Sequence, residues 1–357
     1  MAITRQQVTQ HPLLELTTGF MSFKTFAAAV ELDVFTKLAG GREVTLPEFA
    51  QLVDLQERPT RLLLPALVSL KLLEKKGEFY RNSAVAEEFL VNDKPYFFGG
   101  FVQFYSHALY QGWEHLVGAL RANTPVLAPP DGDTVFGSED DFMIRYFWEA
   151  MHALAGFTGL ALSEAYDFSA HQRVLDVGGG SGGIPIELCR RVPGLTGTVY
   201  ELPHVCPIVE EKAAAAGLAG VVGAQAGDFT KDERLPSGYD AMILSQVLHV
   251  LDEENGRALL KKCYDALEPG GAVFVCELLL DADRSGPAPA ALMGLNMLIA
   301  HHGGENYSDQ EYRTWLAEAG FVDLEVVRFE AAGATGAVIG RKGTGHRVIG
   351  SEGTGGV

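Results

Sequence analysis

The sequence runs to 357 residues, 47% hydrophobic and 21% charged, with a formal net charge of −18. That composition excludes a disordered chain and leaves room for two domains with a large core. The acid excess excludes a nucleic-acid partner held by clustered Lys and Arg, and no apolar run reaches the length of a membrane span.

The N-terminus, Met1 to Gln7, has no basic stretch leading into an apolar core, so the expected location is the cytoplasm. Residues 1–105 read as mostly helical. Phe20, Phe23, Phe26, Ala27, Val30 and Leu32 recur near helical spacing, Phe35 and Leu38 continue the pattern, and Gly40-Gly41 is expected to stop the helix. Thr45 and Pro47 mark the start of a short helix to about Val53. Arg58 to Leu73 reads as the next helix, and Leu72 to Asn82 as two short strands turning at Gly77. Helix, helix, hairpin is a winged-helix pattern. Its recognition helix would carry only Arg58, Arg61 and Lys71, against Glu57, so a dimerisation or lid module fits better than DNA binding. Phe97, Phe98, Phe101, Phe104 and Tyr105 follow and leave apolar surface to cover.

Residues 106–170 continue helical, interrupted at Thr124-Pro125 and in the loop Pro129-Pro130-Asp131-Gly132. Phe142 to Leu162 is a long apolar helix with Phe142, Met143, Tyr146, Phe147, Trp148, Met151 and Leu154, most of them expected in the core. From His171 to Lys342 strands and helices alternate. Strands are expected at 173–177, 197–201, 221–225, 239–245 and 272–277, and helices at 182–191, 205–216, 253–267 and 308–319. The alternation predicts an α/β fold with a parallel, doubly wound sheet, finished by a hairpin from Val322 to Val327 and Ala334 to Ile339. Residues 343–357 are Gly-rich and expected to form a disordered tail. Cys189, Cys206, Cys263 and Cys276 lie far apart with no zinc or redox spacing, and no metal is expected.

The densest signal is Val174-Leu175-Asp176-Val177-Gly178-Gly179-Gly180-Ser181-Gly182-Gly183, an apolar strand breaking into a glycine loop ahead of a helix. It fits G-x-G-x-x-G and equally Asp-x-Gly-x-Gly-x-Gly, so alone it leaves open a dinucleotide, an adenosyl ligand or a structural turn. The other strand ends narrow this. In open α/β sheets ligands sit beyond the carboxyl ends of the strands. There the sequence places Glu201, Gly227-Asp228-Phe229, Ser245 with His249 after it, and Glu277. Glu201 suits ribose hydroxyls, Asp228 an adenine amino group with Phe229 against the ring, and Ser245 an amino-acid carboxylate. His249 beside Glu277 suits a general base whose tautomer a carboxylate fixes.

Read together, Leu175 to Gly182, Tyr200-Glu201-Leu202-Pro203-His204-Val205, Gly227-Asp228-Phe229, Leu248-His249, Glu277, and Gly303-Gly304 with Glu318 to Phe321 resemble the class I S-adenosylmethionine-dependent methyltransferases. More narrowly they resemble the small-molecule O-methyltransferases of plant phenylpropanoid and bacterial polyketide pathways, from about Leu14 to Arg341. The resemblance implies a winged-helix dimerisation domain (1–105), a helical segment lending substrate contacts (106–170) and a Rossmann-like catalytic domain (171–342). It implies a homodimer and S-adenosylmethionine held by Asp176, Gly178, Gly180, Glu201, Leu202, Asp228, Phe229 and Ser245, with S-adenosylhomocysteine as product. His249 falls on the family's catalytic histidine and Glu277 on its supporting acid. The second acid falls nearest Asn306, with Glu305 one residue away. The family's Asp-Leu-Pro reads Glu201-Leu202-Pro203 here, and Val250-Leu251 replaces the usual Asp-Trp after the histidine. Pocket walls are expected from Phe147, Met151, Met293, Asn296, Met297 and His301 around an aromatic hydroxylated substrate. Relatives in this family also methylate carbon or nitrogen, or use the cofactor otherwise. A nicotinamide oxidoreductase or a winged-helix regulator are the readings from other classes.

Overall fold

The computed structural model describes residues 9–92, 94–127 and 141–344, with side chains from 147 onward in the last of these. The chain divides into two compact units, 1–114 and 115–357. The first unit begins with α1 (His11–Glu31), α2 (Val34–Lys37), α3 (Leu46–Leu52) and α4 (Glu57–Ser69). The hairpin β1 (Leu73–Lys76) and β2 (Phe79–Asn82) follows, turning at Gly77, then α5 (Ala84–Phe89), α6 (Gly99–Phe104), a π-turn at Tyr105–Leu109 and α7 (Tyr110–Trp113). Val30, Phe35, Leu38, Phe49, Leu64, Leu67, Leu73 and Tyr80 form its core.

Two helix ends differ from expectation. The first helix stops at Glu31, because Asp33 turns left-handed at φ 56°, and α2 is a separate turn. The helix expected to reach Leu73 stops at Ser69, Lys71 takes φ 59°, and Leu73 already pairs with Asn82. Both breaks fall on charged residues that adopt a glycine-like conformation, and no Gly or Pro marks them.

The second unit holds α8 (Leu116–Ala122), α9 (Asp141–Ala165), β3 (Arg173–Val177), α10 (Gly183–Arg191), β4 (Thr196–Glu201), α11 (Cys206–Ala215), β5 (Val222–Ala226) and β6 (Tyr239–Ser245). It continues with α12 (Glu253–Ala266), β7 (Leu267–Glu277), α13 (Ala288–Ala300), α14 (Asp309–Ala319), β8 (Val322–Arg328) and β9 (Gly336–Arg341). The sheet order is β5-β4-β3-β6-β7-β9-β8. The first five strands are parallel, and the closing hairpin is antiparallel with β9 inside. The pleat sorts the core. Val174, Ile243 and Phe274 face a layer from α9, α10 and α11, while Leu175, Met242 and Val273 face α12 and α14. Winding reverses between β3 and β6, which opens the crevice expected of a ligand site. The loop 129–132 and residues 345–357 of the expected tail lie outside the described residues.

Helix α14, which follows the Asn306 segment, starts on a capping box. Glu311 N–H donates to Ser308 Oγ at 3.3 Å, and Ser308 N–H donates to Glu311 at 2.8 Å. Ser308→Ala is expected to cost about 1 kcal/mol, read as a lower urea midpoint at unchanged slope.

Candidate active site

Every chemistry-bearing strand end meets at the carboxyl edge. Val177 leads into Gly178, Gly180 and Gly182, all left-handed at φ 67°, 58° and 80°. Two of these positions also lack room for a side chain. A Cβ on Gly178 would stand 2.9 Å from the Phe229 ring, and one on Gly180 would stand 2.5 Å from the Trp148 ring. Phe229 therefore lines the loop, as adenine packing would require.

Three carboxylates surround this loop. Asp176 is fully buried, and neither oxygen has a hydrogen-bond partner among the described residues. Burial, then the nearby Glu201 charge, pushes its carboxyl up to about 8. Glu201 accepts Gly180 N–H at 3.0 Å and Leu202 N–H at 2.8 Å. Burial raises its pKa, and those two N–H groups pull the other way. Each oxygen keeps a lone pair for a ligand hydroxyl. Asp228 is also pushed up by burial, but Thr230 and Lys231 outweigh that and its pKa is net lowered. The turn behind it is fixed by Asp232, which accepts Asp228 N–H at 2.8 Å and the Tyr200 hydroxyl, and by Lys262 on the Phe229 and Asp232 carbonyls. Asp232 and Lys262 were not visible in the sequence, because their partners lie across a turn or 30 or more residues away.

His249, the expected base, pairs with Glu277. His249 sits on a 3₁₀ turn, Leu248–Val250, just past β6. Its Nδ1 lies 2.6 Å from Glu277 Oε2, and Leu248 N–H donates to Glu277 Oε1 at 3.1 Å. Both side chains are buried. A carboxylate only accepts, so the pairing places the proton on Nδ1 and leaves Nε2 with a lone pair. Gly304 runs under the histidine, where a Cβ would meet the His249 carbonyl at 2.6 Å.

Glu305 and Asn306 stand in different surroundings. Glu305 is exposed and paired with Arg284 at 2.5 Å. Asn306 is buried and donates Nδ2 to the Leu278 carbonyl at 2.7 Å, while its Oδ1 has no partner among the described residues. Ser245 is half-buried at the end of β6. Met293 packs on Leu278, Leu280 and Ala290, Asn296 lies within 3.9 Å of the Met293 sulfur, and Met297 is buried beside Gly304. His301 caps α13, and burial, then the charge of His249, lowers its pKa to about 4. Phe147 and Met151 instead pack with Trp148 on Leu202, Val205 and Ile208, beside the Glu201 turn. The side chains of Phe142, Met143 and Tyr146 lie outside the described residues.

The residues fit an adenosyl amino-acid cation. Two buried carboxylate oxygens wait for donors, and three acids ring a loop that backbone N–H groups alone would have offered to an anion. A pyrophosphate would crowd against the Glu201 and Asp228 carboxylates. Among the described residues, no group of three or more His, Cys, Asp or Glu is placed to hold a metal.

The comparisons agree with this reading. Residues 114–322 match the O-methyltransferase domain, and residues 14–92 match the O-methyltransferase dimerisation domain. The chain is 43% identical over 330 residues to a 3-hydroxy-5-methyl-1-naphthoate 3-O-methyltransferase of Streptomyces sahachiroi, covering 92% of this chain and 94% of that one. It is 35% identical to the tetracenomycin polyketide synthesis 8-O-methyl transferase TcmO of Streptomyces glaucescens, covering 92% and 96%. The solved human N-acetylserotonin methyltransferase in complex with S-adenosylmethionine superposes with a TM-score of 0.83 at 30% identity, covering 96% of this chain and all of that one.

Proposed function

Because the chain belongs to the S-adenosylmethionine-dependent O-methyltransferases with an N-terminal dimerisation domain, we propose that it methylates a phenolic hydroxyl of an aromatic secondary metabolite. The observation that carries the proposal is the buried His249–Glu277 pair at 2.6 Å on the same sheet edge as the glycine loop. Residues 1–105 are the pairing module of a homodimer, and residues 171–342 hold the donor.

When bound, S-adenosylmethionine supplies an electrophilic methyl group on a cationic sulfur. The chain does the rest. Gly178 and Gly180 let the backbone approach the methionine part, Glu201 and Leu202 take the ribose, and Asp228 and Phe229 take the adenine. Ser245, at the end of the strand next to that of Asp176, takes the amino-acid carboxylate. His249 Nε2 accepts the proton of the acceptor hydroxyl, and Glu277 holds the ring and steadies the imidazolium that forms. A phenol with a pKa near 10 needs that help at neutral pH, and such a base contributes about 10²–10⁴-fold. Fixing donor and acceptor at attack distance supplies roughly 7–11 kcal/mol more. Asn306 anchors the segment after Glu277 without adding charge, so Glu277 alone balances the imidazolium. Met293, Asn296 and Met297 on α13, with His301 at its C-terminal cap, form the acceptor's walls, while Phe147 and Met151 on α9 pack beside Leu202 and Val205.

Transfer of a labelled methyl group from the donor to a panel of hydroxynaphthoates, hydroxyquinones and simple phenols, with aryl amines alongside, tests the proposal. Methylation of the amines alone would overturn it. In a thermal-shift measurement S-adenosylhomocysteine is expected to stabilise the protein, by about 2.7 kcal/mol at a hundredfold excess over Kd. NAD is expected to leave the midpoint unchanged.

A further inference from the structure

The glycine loop carries one side chain, Ser181, between Gly180 and Gly182. It is only 2% exposed, and its Oγ lies 2.8 Å from His152 Nδ1 on α9, 29 residues earlier in the chain. Burial, then the charges of Lys212 and Arg190, lowers the His152 pKa to about 4, so the ring is neutral near pH 7 and keeps one acceptor nitrogen. One helical turn before it, Trp148 presses on Gly180; positions four apart share a helix face.

The backbone of α9 is equally close. A Cβ on Gly183 would stand 2.7 Å from Ala155 Cβ and 2.9 Å from the His152 carbonyl, and one on Gly159 would stand 2.9 Å from Glu187 Cβ. A loop with three left-handed glycines loses much conformational entropy on ordering. It is pinned by Gly178 N–H on Tyr200, Gly182 N–H on Gly179, Gly180 N–H on Glu201, and the Ser181–His152 bond. Among the described residues, only the last of these bonds ties it to another helix.

We propose that His152 is a positioning residue of the donor site: by latching Ser181 it fixes the glycine loop in its cofactor-binding form, with Trp148 holding Gly180 from the same helix face. The latch acts on donor affinity and leaves the methyl-transfer step alone. Gly179 to Gly183 also fits G-x-S-x-G, the signature of a nucleophilic serine. Here Ser181 is enclosed and touches Nδ1 of the histidine, so an acyl substrate has no approach and the contact serves geometry.

The inference rests on the cofactor reading, and wild-type titration with S-adenosylhomocysteine separates the two: no binding there defeats the cofactor reading itself. With binding established, His152→Ala and Ser181→Ala are each expected to raise the S-adenosylhomocysteine Kd about tenfold. The donor KM should rise in parallel, and kcat at saturating donor should stay within about threefold of wild type. The double variant should bind no worse than either single one. His152→Asn, which places a polar atom where Nδ1 stands, should recover most of the affinity. His152→Gln, which reaches the Nε2 position, should not. Unchanged affinity in Ser181→Ala, additive losses in the double variant, or equal affinities for the Asn, Gln and Ala variants would overturn the latch. Ser181→Ala removes one atom and keeps the test independent of any folding defect in the histidine variants.

Discussion

His249→Ala should lower turnover at least a hundredfold while S-adenosylhomocysteine binds as in wild type. The ring's Nδ1 is committed to Glu277 at 2.6 Å, and Glu277 is committed in turn to Leu248 N–H at 3.1 Å. That leaves Nε2 as the nitrogen proposed to take the acceptor's proton. Removing it takes away a general base worth about 10²–10⁴-fold and touches none of the groups that hold the donor. Glu277→Gln should also slow turnover, because the amide no longer balances the imidazolium. Combining the two changes should cost little more than His249→Ala alone, since the acid acts through the ring. Single-turnover rates with saturating donor measure the chemical step directly. A His249→Ala enzyme within threefold of wild type would remove the base from the mechanism.

Much of this site could be read from the sequence, for a physical reason. Parallel strands buried on both faces are continuous apolar runs, so a polar residue ending one stands out, as Glu201, Ser245 and Glu277 do. A helix start was legible where a cap announces it, as at Thr45. Breaks made by Asp33 and Lys71 were not, because charged residues rarely adopt φ near 56–59° and nothing local signals it. The contacts of α9 with the glycine loop were illegible in a different way. Trp148 and His152 carry helical spacing typical of core residues, and only folding shows that they meet Gly180 and Ser181. Phe147 and Met151, expected as substrate-lining residues, pack with Trp148 beside Leu202 and Val205.

Asp176→Asn should make the unliganded protein more stable above pH 8 and weaken S-adenosylhomocysteine binding by about 10–100-fold. The carboxyl is fully buried without a partner among the described residues, and its pKa stands at about 8. An unfolded Asp titrates near 3.9. The raised folded pKa fixes the sign. Relative to the unfolded chain the group favours folding below about pH 4, and that contribution is lost as pH rises through about 8. The melting temperature of the wild type should therefore fall against that of Asp176→Asn between pH 5 and about 8.5, with the two nearly equal at the acid end. A bound ligand ammonium reverses the preference. It draws the proton off Asp176 and replaces a penalty with a charge-assisted hydrogen bond worth about 1.5–3 kcal/mol. Binding to wild type should release protons near pH 7 and tighten toward pH 8, and titrations in buffers of different ionisation enthalpy would count them. The variant should show neither effect. Equal pH profiles for the two proteins would mean that Asp176 is ionised before the ligand arrives. An unchanged affinity would remove it from the donor site.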